Sequence, residues 1–273
     1  MQLAIQHRTT YHYSSPSGYT IQQLRLRPRL EAQQKIVHWE INSPGKRQAF
    51  QDAYHNLSEL LVVTGAHTDI NIVAQGVVEV STPLQGRIAD HAELSPLIFT
   101  VPSRLTAASE HLLDFARGKL PAEHCNTQQA LQLASAIQNR VSYLSGSTIV
   151  TSTASEALAQ GSGVCQDHAH IFLACCHVQG IPARYVSGYI DPESSDHAES
   201  HAWIDVWVEQ HDYTGWVSID VTHARLMNDA YCRLAIGRDY ESASPVRGVR
   251  RGGGNESMSV SVSVQTHITA GAW

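Results

Sequence analysis

A chain of 273 residues that is 42% apolar and 16% charged has the composition of a folded globular protein and excludes a disordered or low-complexity one. Its net charge of −6 leaves no electrostatic footprint for nucleic acid, and the Arg clusters at Arg25, Arg27, Arg29 and at Arg247, Arg250, Arg251 read as solvated or ion-paired surface. No charged-then-apolar leader or long apolar run is present, so neither a secretory signal nor a membrane span is expected and the cytoplasm is the expected compartment; the five cysteines, an odd number with Cys175 and Cys176 adjacent, read as reduced thiols.

In chain order, residues 1–100 read as short β segments: Gln2–Tyr11, Lys35–Ile41, Glu59–Thr64, Asp69–Val73 and Gly76–Val80, separated by turn residues such as Ser43-Pro44-Gly45. Regular short strands predict a β-sandwich-like N-terminal domain. Ser95–Leu97 reads as a linker, followed by helices over Leu105–Ala116 and over Thr127–Val141, the second after an Asn126 cap.

Next comes Gly161-Ser-Gly-Val-Cys165-Gln-Asp-His-Ala-His170, a glycine-rich lead into an apolar helix. Val164, Ala169, Phe172, Leu173 and Cys176 recur at helical spacing, and Gly180-Ile181-Pro182 ends the run. Cys165 then falls in the first turn, where unpaired amides and the helix dipole favour a thiolate over the free thiol of pKa ~8.5. Cys165 is therefore a candidate nucleophile, against the alternative of a small buried hydrophobe.

Strands follow over Ala183–Ile190, Ser200–Val208 and Gly215–Val221, with a last one over Met258–Val264. In Ser200–Val208 the alternation places Ala202, Ile204, Val206 and Val208 on a core face and His201, Trp203, Asp205 and Trp207 on the other. A turn over 209–212 sets Asp220 opposite His201; a shift of the hairpin sets it opposite Trp203, still on the face of His201. Parity alone thus brings a carboxylate to the imidazole, which gives nucleophile, base and orienting group in Cys165, His201 and Asp220.

Strands, then helices, then strands predict an α+β fold with an N-terminal β domain over 1–100 and a catalytic core over 101–273 that includes the C-terminal strand. Asp167, His168 and His170 do not share one helix face, and Cys175-Cys176-His177 lacks a second pair at zinc spacing, so no metal site and no cofactor are expected. Gln166, Trp203 and Tyr189 are candidate substrate-binding residues, with packing as the alternative for Trp203. The amide of Cys165 is the expected oxyanion donor.

The stretches Gly163–His170, Gly180–Tyr189, Ser200–Trp203, Gly215–Asp220, Gly237–Tyr240 and Pro245–Val249 together resemble the transglutaminase-like branch of the papain-like fold, in bacterial proteins with an N-terminal β domain. The resemblance covers nearly the whole chain. It implies a helices-on-antiparallel-sheet core with Cys165 as nucleophile, His201 as general base and acid, and Asp220 orienting His201. His168 stands where the family usually has an aromatic, and Val221-Thr222 follows Asp220 where a Pro is common. The expected chemistry is acyl transfer from a peptide or side-chain amide through a thioester. Water as acceptor makes a cysteine peptidase or amidase, an amine acceptor makes a transglutaminase, and a catalytically silent binding protein is the third reading. The expected partner is a protein or peptide substrate, with neither nucleic acid nor membrane.

Overall fold

The computed structural model describes residues 1–89, 94–191 and 200–266. Strands β1 (Gln2–Leu24), β2 (Gln34–Asn42), β3 (Lys46–Gln51) and β4 (Leu57–Val80) form most of one N-terminal sheet. The segments 59–64, 69–73 and 76–80 are one strand, because β1 and β4 pair antiparallel almost throughout. A register shift between His12 and Ser17 moves the inward positions of β1 from odd residues to Thr20, Gln22 and Leu24. β3 covers the first half of β4 and β2 the second. The N-terminal β domain is therefore one continuous sheet whose two long strands run through both halves, where sequence spacing had suggested a sandwich. Gly76 permits the β2 pairing, since a Cβ there would lie 2.1 Å from the His38 carbonyl oxygen.

The chain then enters the second unit through β5 (Arg87–Ile88) and a 3₁₀ turn at Pro96–Thr100, which occupies the expected linker and buries Phe99. Helix α1 covers Glu110–Ala116, shorter than expected because the Ser109 hydroxyl accepts from the Leu112 amide and caps it there. Helix α2 (Thr127–Arg140) starts at the expected Asn126, in a capping box with Gln129. Then come β6 (Ser142–Tyr143), α3 (Ala154–Gln160), β7 (Ser162–Gly163) and α4 (Cys165–Val178). Last are β8 (Ala183–Ile190), β9 (Ser200–Gln210), β10 (Tyr213–Asp220), β11 (Arg225–Leu226), β12 (Tyr231–Gly237) and α5 (Tyr240–Ala243).

The core sheet runs β11-β10-β9-β8-β12, with β5 added to β10. Ala202, Ile204, Val206 and Val208 pack against the helices, as the alternation predicts. The opposite face is also covered: Trp203, Trp216 and Tyr231 are buried with Ile88 and Phe99, and Trp207 packs against them. Helix α4 is enclosed on every side, Gln166 through Cys176 being buried, so its sequence reads apolar around the whole circumference. Among the described residues no helix is long and apolar enough to cross a membrane.

The C-terminal strands β13 (Val246–Gly252) and β14 (Glu256–Thr266) return to the N-terminal sheet, both pairing antiparallel with β1. Residues 258–264 thus do not belong with the core over 101–273; they complete the free edge of β1. The two units are tied further at β12, an edge strand. Gln34 Nε2 donates to the Arg233 carbonyl (2.9 Å) while the Arg233 amide donates to Gln34 Oε1 (2.7 Å), and Asn56 makes the same pair of bonds with Ile236 at 2.8 Å each. Two side-chain amides stand in for a neighbouring strand and satisfy the edge.

Beneath β12 lies a buried ion network. Asp205 receives Arg233 Nη1 and Nη2 (2.8 and 2.7 Å) and Arg184 Nε (2.8 Å), and Glu31 receives Arg29 Nε at 2.7 Å and lies 2.7 Å from Arg233 Nε. Arg25 and Arg29, expected at the surface, are buried in this junction, with Arg25 paired to Asp52 at 3.1 Å.

Candidate active site

Three local devices set Cys165 at the start of α4. Helix α3 ends at Gly161 in the left-handed region (φ 72°), which turns the chain into β7. β7 pairs parallel with β6, and the Leu144 amide donates to the Gly163 carbonyl at 2.8 Å. The Asp167 carboxylate then accepts from the Val164 amide (2.8 Å) and the Thr148 hydroxyl (2.6 Å), pinning the first turn from inside. The amides of Cys165 and Gln166 occupy that turn, where no intrahelical acceptor exists, and can donate to a developing oxyanion.

A Cβ on Gly163 would sit 2.7 Å from the Asp167 Cβ and 2.8 Å from its Oδ2. Gly163→Ala is therefore expected to push Asp167 off the Val164 amide, costing about 1–3 kcal/mol of stability and lowering turnover with it. A urea midpoint and a rate equal to those of the unaltered protein would contradict this.

The hairpin β9–β10 is tighter than a four-residue turn: Tyr213 pairs with Gln210, Trp216 with Trp207 and Ile219 with Ile204. That shifted register sets Asp220 level with Trp203, and parity keeps it on the face of His201. The His201 Nε2 lies 2.7 Å from Asp220 Oδ2. The ionised carboxylate only accepts, so Nε2 carries the proton and Nδ1 remains available to Cys165, which lines the same cleft. The three residues predicted for nucleophile, base and orienter are brought together.

Burial alone would lower the His201 pKa, but the charge and hydrogen bond of Asp220, and then those of Cys165, push it up to about 10. Burial would likewise raise Asp220, yet the charge and hydrogen bond of His201, followed by those of His223, hold it well below the usual carboxylate range.

Sequence reading missed two partners of Asp220. His223 Nδ1 and the Tyr231 hydroxyl each donate to the same Oδ2 at 2.7 Å, and the His223 amide reaches Oδ1 at 3.2 Å. His223 could have been found as the residue three positions beyond Asp220 in a turn; nothing local marks Tyr231. His201, Asp220 and His223 are also the group whose potential ligand atoms lie within 4.8 Å of one another among the described residues, and the hydrogen bonds to Asp220 already use those atoms. Asp167, His168 and His170 do not converge. Asp167 pins the helix start, His168 bonds the Thr222 hydroxyl and the Val141 carbonyl at 3.0 Å each, and His170 accepts from the Tyr240 amide.

The candidate substrate-binding residues separate. Gln166 lines the cleft with Cys165 and His201, although its Nε2 donates to the Val150 carbonyl at 3.1 Å. Trp203 is fully buried behind His201, stacked on it with centroids 6.0 Å apart, and its Nε1 donates to Ser218. Tyr189 is buried at the junction of the two sheets with its hydroxyl 2.9 Å from His7 Nδ1. Both are packed away from substrate because the second face of the core sheet is itself covered.

A 680 Å³ cleft opens above Cys165 and His201. One wall comes from the core (Tyr143, Val150, Gln166, Tyr185) and the other from the N-terminal sheet and its C-terminal strands (Tyr11, Tyr13, Gln22, Met258).

A first-turn cysteine on a buried helix, facing a histidine and an aspartate on the adjoining sheet, defines a thiol-enzyme scaffold. Residues 114–221 match the transglutaminase-like superfamily, and residues 3–79 match the bacterial transglutaminase-like N-terminal region. An uncharacterized protein of Mycobacterium tuberculosis is 30% identical over 270 residues, spanning 90% of this chain and 86% of that protein. One of Mycobacterium leprae is 27% identical over 286 residues, spanning 96% and 98%. The crystal structure of a Cytophaga hutchinsonii protein, described as a candidate cysteine protease, has the same fold, with a TM-score of 0.75 at 22% identity over 100% of this chain and 93% of that one. The chain belongs to the transglutaminase-like superfamily, in the bacterial group that carries the N-terminal β region.

Proposed function

We propose that this protein is a cysteine peptidase or amidase that cleaves peptide or side-chain amides through a thioester on Cys165. The observation that carries the reading is the division of His201: Nε2 is spent on Asp220, and Nδ1 is left to serve the thiol and then the leaving amine. In the first step the Cys165 sulfur attacks the amide carbonyl. The amides of the first helical turn stabilise the oxyanion, and His201 gives its Nδ1 proton to the nitrogen as the C–N bond breaks. Water, deprotonated by the now neutral His201, then attacks the thioester and releases the acid and the Cys165 sulfur. An amine in place of water would make an amide, which is the transglutaminase outcome. Incorporation of a labelled primary amine into a glutamine peptide faster than peptide cleavage or ammonia release would replace the hydrolytic reading by that one.

The reading is tested by alkylation with iodoacetamide across pH, mapping the modified cysteines by peptide mass spectrometry. Cys165 is expected to react selectively and in a way that His201→Ala weakens. Cys125, Cys175, Cys176 and Cys232 are buried, with burial pushing Cys175 up to about 12, and should stay unmodified until the protein unfolds. Equal labelling of all five would overturn the proposal and favour a binding role.

A pH dependence follows from the pair His201–Asp220. The acid form of His201 is kept up to about pH 10, so the basic limb of the kcat/KM profile belongs near there. Asp220→Asn removes the largest raising influence and leaves burial dominant, so the limb should move to lower pH as turnover falls. A limb that stays in place would show that Asp220 does not set the charge state of His201. The stability contribution has the same sign: complete below the unfolded value of ~6.5 and lost as pH rises through about 10.

A further inference from the structure

The wall of the cleft facing Cys165 holds polar groups that the fold leaves without partners. Gln22 and Ser244 are at least nine-tenths buried and both line the cleft, and among the described residues neither Gln22 Oε1 nor Ser244 Oγ has a hydrogen-bond partner. Tyr13, buried on the same wall, has an unpartnered hydroxyl as well. Unpaired buried polar atoms are rare because each costs on the order of 1–3 kcal/mol. Three on one wall of one cleft mark a surface completed by something that is not part of the chain.

The backbone is shaped to present Gln22. Its pairing partner is Gly248, and a Cβ there would lie 2.6 Å from the Gln22 Cγ. The bare position lets the side chain lie across β13.

The wall is also kept free of net charge. His7 has Tyr189 and Thr9 on its two nitrogens, and burial lowers it to about 4, so the ring is neutral. Burial likewise keeps the Tyr11 phenol protonated. At the rim Arg250 is paired with Glu256 at 3.0 Å, and Arg247 donates to the Glu241 carbonyl while its Nη2 lies 3.9 Å from the carboxylate.

We infer that Gln22, Ser244 and Tyr13 form a substrate subsite on the N-terminal sheet that takes an uncharged amide group of a bound peptide, away from the bond attacked by Cys165. An acceptor in Gln22 Oε1 and two hydroxyls lining the same cleft match a group with both an N–H and a C=O. A carboxylate or ammonium group would lose its hydration there without an opposite charge to replace it. This inference rests on the peptide-cleaving reading of the same cleft and assigns the N-terminal sheet a direct part in choosing the substrate.

The test is binding of an end-blocked fluorescent hexapeptide of alternating Gln and Ala to the Cys165→Ala protein, measured by anisotropy. Comparison peptides replace each Gln by Glu, or each by Leu, or methylate the backbone nitrogens. The neutral Gln peptide is expected to bind at least about tenfold more tightly than the Glu peptide. Gln22→Leu and Ser244→Ala should each weaken it by roughly three- to tenfold, without lowering the unfolding midpoint. Loss with the Leu peptide assigns the subsite to a side-chain amide, and loss with the methylated one to a backbone amide. No binding of the Gln peptide, equal binding of Gln and Glu peptides, or variants that bind as the parent does would overturn the subsite. Iodoacetamide labelling of Cys165 in the otherwise unaltered protein reports separately on the proposed chemistry, so either claim can fail without the other.

Discussion

Cys165→Ala should reduce amide turnover to the uncatalysed background, a loss of roughly four orders of magnitude or more, with the unfolding transition almost unchanged. Among the cysteines of this chain, Cys165 alone is partly exposed; the other four sit in the core. Among the described residues lining the cleft Cys165 carries the one thiol, so its removal takes away the proposed nucleophile, while the helix start remains held by Asp167, Thr148 and the pairing of β6 with β7. His201 and Asp220 lose nothing but the thiol contact. Hydrolysis of a peptide amide by the purified variant, against a protein-free control, is the measurement. Residual activity within about tenfold of the parent would place the nucleophile elsewhere. A collapse of stability would instead make Cys165 a packing residue.

The largest effect on stability is expected at Asp205. Asp205→Ala would leave Arg184 and Arg233, both fully buried, facing each other without the carboxylate that accepts three hydrogen bonds from them. Breaking such a pair from one side costs about 3–5 kcal/mol, a large share of the ~5–15 kcal/mol that holds an ordinary domain. Arg184 lies over the Trp216 ring at 4.2 Å, and Arg233 keeps Glu31 and the Ser218 hydroxyl. Asp205 also receives no relief from acid until its carboxyl protonates, and burial, which alone would raise it, is outweighed by Arg233 and Arg184, which hold it below the usual range. Urea titration followed by tryptophan fluorescence should show the fall in midpoint. An unchanged midpoint would mean that the cations reorganise to solvent, against their position under the sheet.

The candidate site was legible because each of its parts depends on local periodicity. Helical spacing around Cys165 and strand alternation around His201 need only a short window, and the parity of a hairpin survives an error in the turn; the observed register was the shifted one. The misplacements share a different cause. Alternation separates two faces but does not say whether the second is wet, so Trp203 read equally as packed or as lining the cleft; β5 and Phe99 cover its side, and the N-terminal sheet covers Tyr189. Strand β12 escaped notice because Arg233 interrupts an otherwise apolar run, and its charge is compensated by Asp205 and Glu31, distant in sequence. Helix α3 was readable from Thr153 and Glu156, a capping box closed by Gly161, and was passed over. The partner of the C-terminal strand could not be read, since pairing with β1 spans almost the whole chain.

That last pairing imposes a timetable on synthesis. A chain emerging from its N-terminus can join β1 to β4 early, but β1 remains without its other neighbours until residues 246–266 have left the ribosome. Cys165, His201 and Asp220 are all made before then. The far wall of their cleft, which includes Gly248, Met258 and Val260, closes last. The candidate cleft therefore gains its far wall only after residues 246–266 are made, so a product cut short before them would carry Cys165, His201 and Asp220 without the surface that faces them.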